Sequence, residues 1–185
     1  MAAFLDRLAS TWVYGGAAMT PVLLILAPLL DLSAGGLATF LVLPLYVIHQ
    51  VEEHDADRFR AYVNAMVGPD RAGLSLANVA VINVVFVWFF IAASVWLHSA
   101  VAPGWGLLAG YLALINGFVH LLPAVVRRSY NPGLITAVAL LIPIGIAVIV
   151  LLPGASTAQH LASAGTVVFL HAAIVAAALR KAVPA

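Results

Sequence analysis

The stretch ATFLVLPLYVIHQVEEH, residues 38–54, decides how the chain is read. From Ala38 to Ile48 it is an apolar run of the kind that lies in a membrane. It closes on His49-Gln50-Val51-Glu52-Glu53-His54, and Glu52 and Glu53 are the only glutamates in the chain. His49 precedes Glu52 by three residues and Glu53 by four, the two spacings that share a helix face. Neighbouring residues on a helix point about 100° apart. The two carboxylates therefore face different surroundings, with Glu53 beside His49 as ligand or acid and Glu52 turned elsewhere. Ionisable groups at such a depth cost free energy unless they are paired or hold something, which makes this cluster a candidate functional site.

Working outward, the 185 residues are 64% hydrophobic and 8% charged. A soluble domain carries roughly 25% charged residues. The chain reads as an all-α, polytopic membrane helix bundle forming one transmembrane domain over residues 1–185. It contains no cysteine, which excludes disulfides and thiolate–metal sites. The formal charge of +1, without a basic cluster, excludes nucleic acid as a partner. A spanning helix takes roughly 20 mostly apolar residues. Six segments qualify: Thr11–Leu32, Gly35–Glu53, Leu74–Trp96, Gly104–Val126, Gly133–Leu152 and Ala158–Leu179. The first is expected to be a retained helix and not a cleaved signal. With six helices, all eight basic residues fall on one side: Arg7, Arg58, Arg60, Arg71, Arg127, Arg128, Arg180 and Lys181. The positive-inside rule makes that side cytoplasmic and puts both termini there. Residues 55–67 carry Asp55, Asp57, Arg58 and Arg60 beside Phe59, Tyr62, Val63 and Met66. They form either a short amphipathic helix at the interface or a continuation of the second helix.

Counting at 1.5 Å per residue from the basic anchors places His49, His120 and His171 at one depth. Asn83, Asn116 and Glu52/Glu53 join that layer, and Thr136 lies just inside the fifth helix. His98 and His160 fall at the opposite end and are expected to be interfacial and solvated. The inner set suggests a divalent metal, zinc or iron, on His49, Glu53, His120 and His171, since both metals take imidazole and carboxylate. Glu52 or Glu53 would be the acid or base, with Asn116 as a further catalytic group. Asn83, Tyr130, Arg127 and Arg128 would orient a substrate, the two arginines by binding a phosphate or carboxylate headgroup. Six histidines, two of them at the wrong end, argue against the many-histidine membrane di-iron sites.

The expected function is a metal-dependent membrane enzyme acting on a lipid or other lipophilic small molecule from the cytoplasmic side. Hydrolysis is the most economical reaction. Two alternatives stay open: a metal-free acid–base isomerase or cyclase, and a small proton-coupled transporter. A binding or assembly subunit is a third. Small-residue runs at Gly15-Gly16-Ala17-Ala18 and Ala172-Ala173 permit close helix contact, within one chain or in a homo-oligomer.

The run His49-Gln50-Val51-Glu52-Glu53 resembles the signature of the HXXEE-motif family, small bacterial integral membrane proteins. The Asn116…His120 pair and the Tyr130-Asn131-Pro132-Gly133…Thr136 stretch are similar to later segments of that family. The resemblance runs from the second helix to the sixth. It implies a fold and a site at His49, Glu52 and Glu53, and it implies no reaction.

Overall fold

A computed structural model describes residues 2–181. It contains six helices long and apolar enough to cross a membrane, which makes this a multi-pass membrane protein. Helix α1 (Ala2–Leu26) runs into a short 3-10 turn, Ala27–Leu29, and α2 spans Ala34–His54. A shorter helix, α3 (Arg58–Val67), follows. Then come α4 (Leu76–Ala100), α5 (Leu107–Arg127), α6 (Leu134–Leu151) and α7 (Thr157–Ala178). Among the described residues there is no strand, only an isolated antiparallel bridge between Arg71 and Lys181.

Local chemistry sets the boundaries. Ser33, Ser75 and Ser156 each accept a backbone N–H of the first turn they precede, and Gln159 completes a capping box with Ser156. Helix α1 begins earlier than Thr11 because residues 2–10 contain no helix breaker. Pro28 opens a 3-10 turn, where its missing N–H leaves no bond unmade. Residues 55–67 resolve into a separate helix and not a continuation of α2. Ala56 and Asp57 adopt left-handed conformations, with φ of 51° and 60°, and these turn the chain after His54. Phe59 and Val63 of α3 then pack on Leu74, Val79 and Ala178, with Trp12 of α1 alongside.

The basic residues collect at one end. Arg127 donates to the Met66 sulfur, Arg71 donates to the Leu179 carbonyl, and Tyr14, midway along α1, donates to Asp55. At the other end, His98 is not solvated as its terminal position suggests. It is buried, bonded to the Pro103 carbonyl at 2.7 Å, and packed where a Cβ on Gly36 or Gly106 would meet it. His160 is half-buried against the Tyr111 hydroxyl.

The main core comes from α2, α4, α5, α6 and α7 and includes Val42, Tyr46, Ile91, Leu112, Leu141, Val148 and Val167. Helix α1 lies at the edge, with Met19, Val22 and Ile25 exposed on its outer surface. Without a hydrophobic drive between helices in lipid, close backbone approach matters most. Here it occurs between α5 and α6. A Cβ on Gly145 would lie 2.8 Å from the Gly110 carbonyl and 2.8 Å from Leu114. Gly110 and Gly117 are packed by Val148 and Ile142 in the same seam. Helices α4 and α6 each contain a widened π stretch, Val81–Trp88 and Ala137–Leu141. Pro143 follows the second of these, where a wider turn eases the clash of its ring with the preceding carbonyls.

Gly145→Ala should cost about 1–3 kcal/mol, the usual range for overpacking, because the atoms it meets include backbone. Gly165→Ala, with open space at its Cβ position, should be neutral or slightly stabilising. Thermal unfolding of the two variants in detergent checks the contrast.

Candidate metal centre

Glu53 is the centre of the buried polar layer. It leaves the last turn of α2 with 6% of its surface exposed. Its Oε2 lies 3.5 Å from His49 Nε2 and its Oε1 lies 3.4 Å from His120 Nε2. His49 is wholly buried and His120 nearly so. One ligand atom from each of His49, Glu53 and His120 lies within 4.8 Å of the others, so this group could hold a metal ion. The two imidazoles meet edge to face, with centroids 4.9 Å apart. Among the described residues no lysine or arginine pairs with Glu53; the side chains that approach it are histidines.

A third imidazole completes the surroundings. His54 Nε2 sits 3.0 Å from Glu53 Oε2, yet so obliquely that it makes no hydrogen bond, and the atom is buried without a partner. Its ring is held between Trp12 and Phe59, at 5.1 and 5.3 Å. His54 stands outside the three-residue group.

The remote nitrogen of each inner histidine is already engaged. His120 Nδ1 donates to Asn131 Oδ1 at 2.9 Å, and the Asn131 amide returns a bond to the His120 carbonyl at 2.8 Å. His49 Nδ1 lies 3.0 Å from Thr136 Oγ1. Both Nε2 atoms are thereby left facing the carboxylate. Such outer bonds are what orients histidine ligands at metal sites. Thr136 lies in the first turn of α6, and Asn131 in the connection that leads to it from α5. Within that connection, Gly133 adopts φ +93°, a conformation open to glycine. A Cβ there would lie 2.8 Å from His49 Cε1 and 2.9 Å from His120 Cε1. The loop backbone thus rests directly on both rings.

Glu52 faces the opposite way. It accepts from Tyr130 Oη (2.9 Å), Ile135 N (3.1 Å), Thr136 N (2.7 Å) and the Thr136 hydroxyl. Two of these donors are first-turn amides of α6, so the carboxylate caps that helix from outside, where a negative charge is favoured. Burial and the bond to Glu52 hold the Tyr130 hydroxyl above its ordinary pKa.

The remaining residues of the polar layer divide. Asn116 Nδ2 reaches His49 Nε2 at 3.2 Å. His171 does not reach Glu53: its Nδ1 donates to the Val167 carbonyl and its Nε2 stands 3.3 Å from Asn116 Oδ1. Asn83 serves a separate network. It accepts from Gln50, whose own carbonyl accepts from Trp88 Nε1, and it donates to the Val79 carbonyl. Arg127 and Arg128 lie on the surface and make no hydrogen bond to the cluster; Arg128 ends α5 in a left-handed conformation. His54, Asn131 and Gly133 are the members that sequence reasoning passed over. His54 directly follows the motif, and Asn131-Pro132-Gly133 reads as a cap and turn.

The family model described as "Protein of unknown function with HXXEE motif" matches residues 40–148. That interval holds His49, Glu52, Glu53, His120, Asn131, Gly133 and Thr136, while His171 lies beyond it. No curated protein and no solved structure matches the chain.

Gly133→Ala should displace both imidazoles. In histidine-labelled protein it should move the side-chain resonances of His49 and His120 together. Gly68→Ala, also at positive φ but with open space around it, should leave them in place.

Proposed function

The chain belongs to the HXXEE-motif family, and from the buried cluster built on that motif we propose a membrane-embedded, metal-dependent enzyme that hydrolyses a lipophilic substrate. His49, Glu53 and His120 hold one divalent ion, zinc or iron. One observation carries this reading: two imidazoles with their Nδ1 atoms engaged elsewhere turn Nε2 toward a buried carboxylate that, among the described residues, no lysine or arginine approaches. Acceptors converging in a medium of low dielectric need a positive charge among them. Imidazole and carboxylate are a donor set that zinc and non-haem iron accept.

The Asn116–His171 pair adds support. His171 donates through Nδ1 to Val167, so its Nε2 is an acceptor. The single amide nitrogen of Asn116 can serve His171 or His49 but not both. A cation on His49 Nε2 frees that amide for His171.

Three protein ligands would leave one position open, where a bound divalent ion would supply Lewis-acid chemistry for hydrolysis. Glu52 is spent on Thr136, Ile135 and Tyr130, which leaves His54, whose Nε2 lies 3.0 Å from Glu53 Oε2 without a hydrogen bond, as the group that would take up a proton beside the centre. A lipophilic substrate is supported by a groove of about 400 Å³ between α1 and α2, which Glu52 lines and the three ligands do not. Ala17, Pro21, Ile48 and Val51 make its apolar wall, and Glu52 and Arg58 its polar end. That shape suits an amphiphile approaching along the lipid from the end bearing the basic residues, which the positive-inside rule assigns to the cytoplasm.

A metal-free acid–base reading has one observation in its favour: three imidazoles around one carboxylate can share protons without an ion. Elemental analysis separates the two. Protein purified in detergent and reconstituted with zinc or iron should carry about one ion per chain, and His49→Ala and His120→Ala should each lose it. Metal no higher in the parent than in the two variants would sink the metalloenzyme and leave the acid–base reading.

A further inference from the structure

We propose that Glu52 and Thr136 form a positioning pair that fixes the tautomer of His49, with the proton on Nδ1 and Nε2 bare. The first half of this proposal stands on hydrogen-bond geometry alone. The second, that bare Nε2 serves a cation, rests on the metal reading above.

The direction of the chain of bonds follows from counting protons. The Glu52 carboxylate receives four donors, two on each oxygen: Tyr130 Oη and Ile135 N on Oε1, Thr136 N and the Thr136 hydroxyl on Oε2. It is an acceptor throughout. The Thr136 hydroxyl has one proton. Its neighbours besides His49 are Glu52 Oε2 and, farther off at 3.4 Å, the Gly133 carbonyl. Both are acceptors. Whichever of them takes the proton, the Thr136 oxygen has only lone pairs for His49 Nδ1 at 3.0 Å. His49 must donate there. In neutral imidazole that leaves Nε2 as the acceptor.

Without the threonine oxygen the preference inverts. His49 is wholly buried, and Nδ1 would lose its partner. Its Nε2 lies 3.5 Å from Glu53 Oε2, so a proton on Nε2 would gain a carboxylate. Asn116 Nδ2, 3.2 Å from that nitrogen, would turn to His171 Nε2, which accepts; the ring would adopt the Nε2–H tautomer and close its ligand position. The motif spacing then has a physical meaning. Glu53, four residues after His49, faces the same cavity. Glu52, one residue earlier, is turned toward α6 and reaches His49 only through Thr136.

The test uses the full-length protein in detergent with nitrogen-15-labelled histidine, before and after titration with zinc. His49 is assigned by its loss in His49→Gln. The parent and Thr136→Ser should show His49 protonated on Nδ1, while Thr136→Val should show it protonated on Nε2. Thr136→Ala, which cannot clash, carries the same expectation should the valine variant fail to fold. Zinc affinity should be alike in the parent and Thr136→Ser and weaker by roughly 10–100-fold in Thr136→Val, the usual cost of losing an outer partner. A parent with Nε2–H, or a Thr136→Ala protein that keeps Nδ1–H, would overturn the proposal. A parent that shows the expected tautomer and binds no metal would overturn the metalloenzyme and leave the positioning pair standing.

Discussion

One carboxylate, Glu53, sits inside the protein without a lysine or arginine beside it. Bringing such a charge out of water costs several kcal/mol even after relaxation, and the surrounding structure is arranged around that cost. His49 and His54 come from the same helix, and His120 comes from α5. The ring nitrogen that faces away from the carboxylate is bonded in His120 to Asn131 of the α5–α6 connection and in His49 to Thr136, in the first turn of α6. That connection can lie so close only because Gly133 has no side chain. The polar centre therefore specifies the path of the backbone over it, and the backbone specifies which nitrogen of each imidazole is left for the centre.

The scaffold that permits this is the glycine seam between α5 and α6. His120 is carried by α5, and Thr136 opens α6. Their spacing above α2 depends on Gly110, Gly117 and Gly145 allowing the two helices to meet at backbone distance. A bulkier seam would lift the whole connection off His49 and His120 together. Packing energy in the apolar half of the bundle and ligand geometry in the polar half are thus linked through the same pair of helices. The π stretch directly after Thr136 is part of that linkage, since it resets the register of α6 between the residue that serves His49 and those that line the seam.

Much of the architecture is legible in the sequence because lipid imposes it. Six long apolar segments, punctuated by Pro and Gly, leave few alternatives, and each expected segment overlaps an observed helix. The pairing of His49 with Glu53 is legible because spacing on one helix is a local property. Depth is legible too, since rise per residue is constant. Rotation is not. His120 and His171 lie at similar depth, yet one touches Glu53 and the other ends on Asn116. Asn83 shares the layer and serves Gln50. The break after His54 rests on positive φ at Ala56 and Asp57, residue types that announce no such turn. The burial of His98 depends on Gly36 and Gly106, which belong to two other segments. In each case the missing information is which helix faces which, a property of the assembled bundle.

The same reasoning bears on why two adjacent glutamates sit in one motif. On a helix they cannot share a cavity, because about 100° separates their directions. Glu53 points to where α5 approaches, and Glu52 points to where α6 begins. The first is buried among three imidazoles. The second is partly solvated and saturated by donors from α6 and Tyr130. Exchanging their roles would leave α6 uncapped and His49 without a neighbour of opposite charge. The adjacency therefore fixes two contacts of α2 with one short sequence, the carboxylate of the centre and the carboxylate that docks the helix lying over it. A single turn of α2 sets both the chemistry and the geometry that holds it.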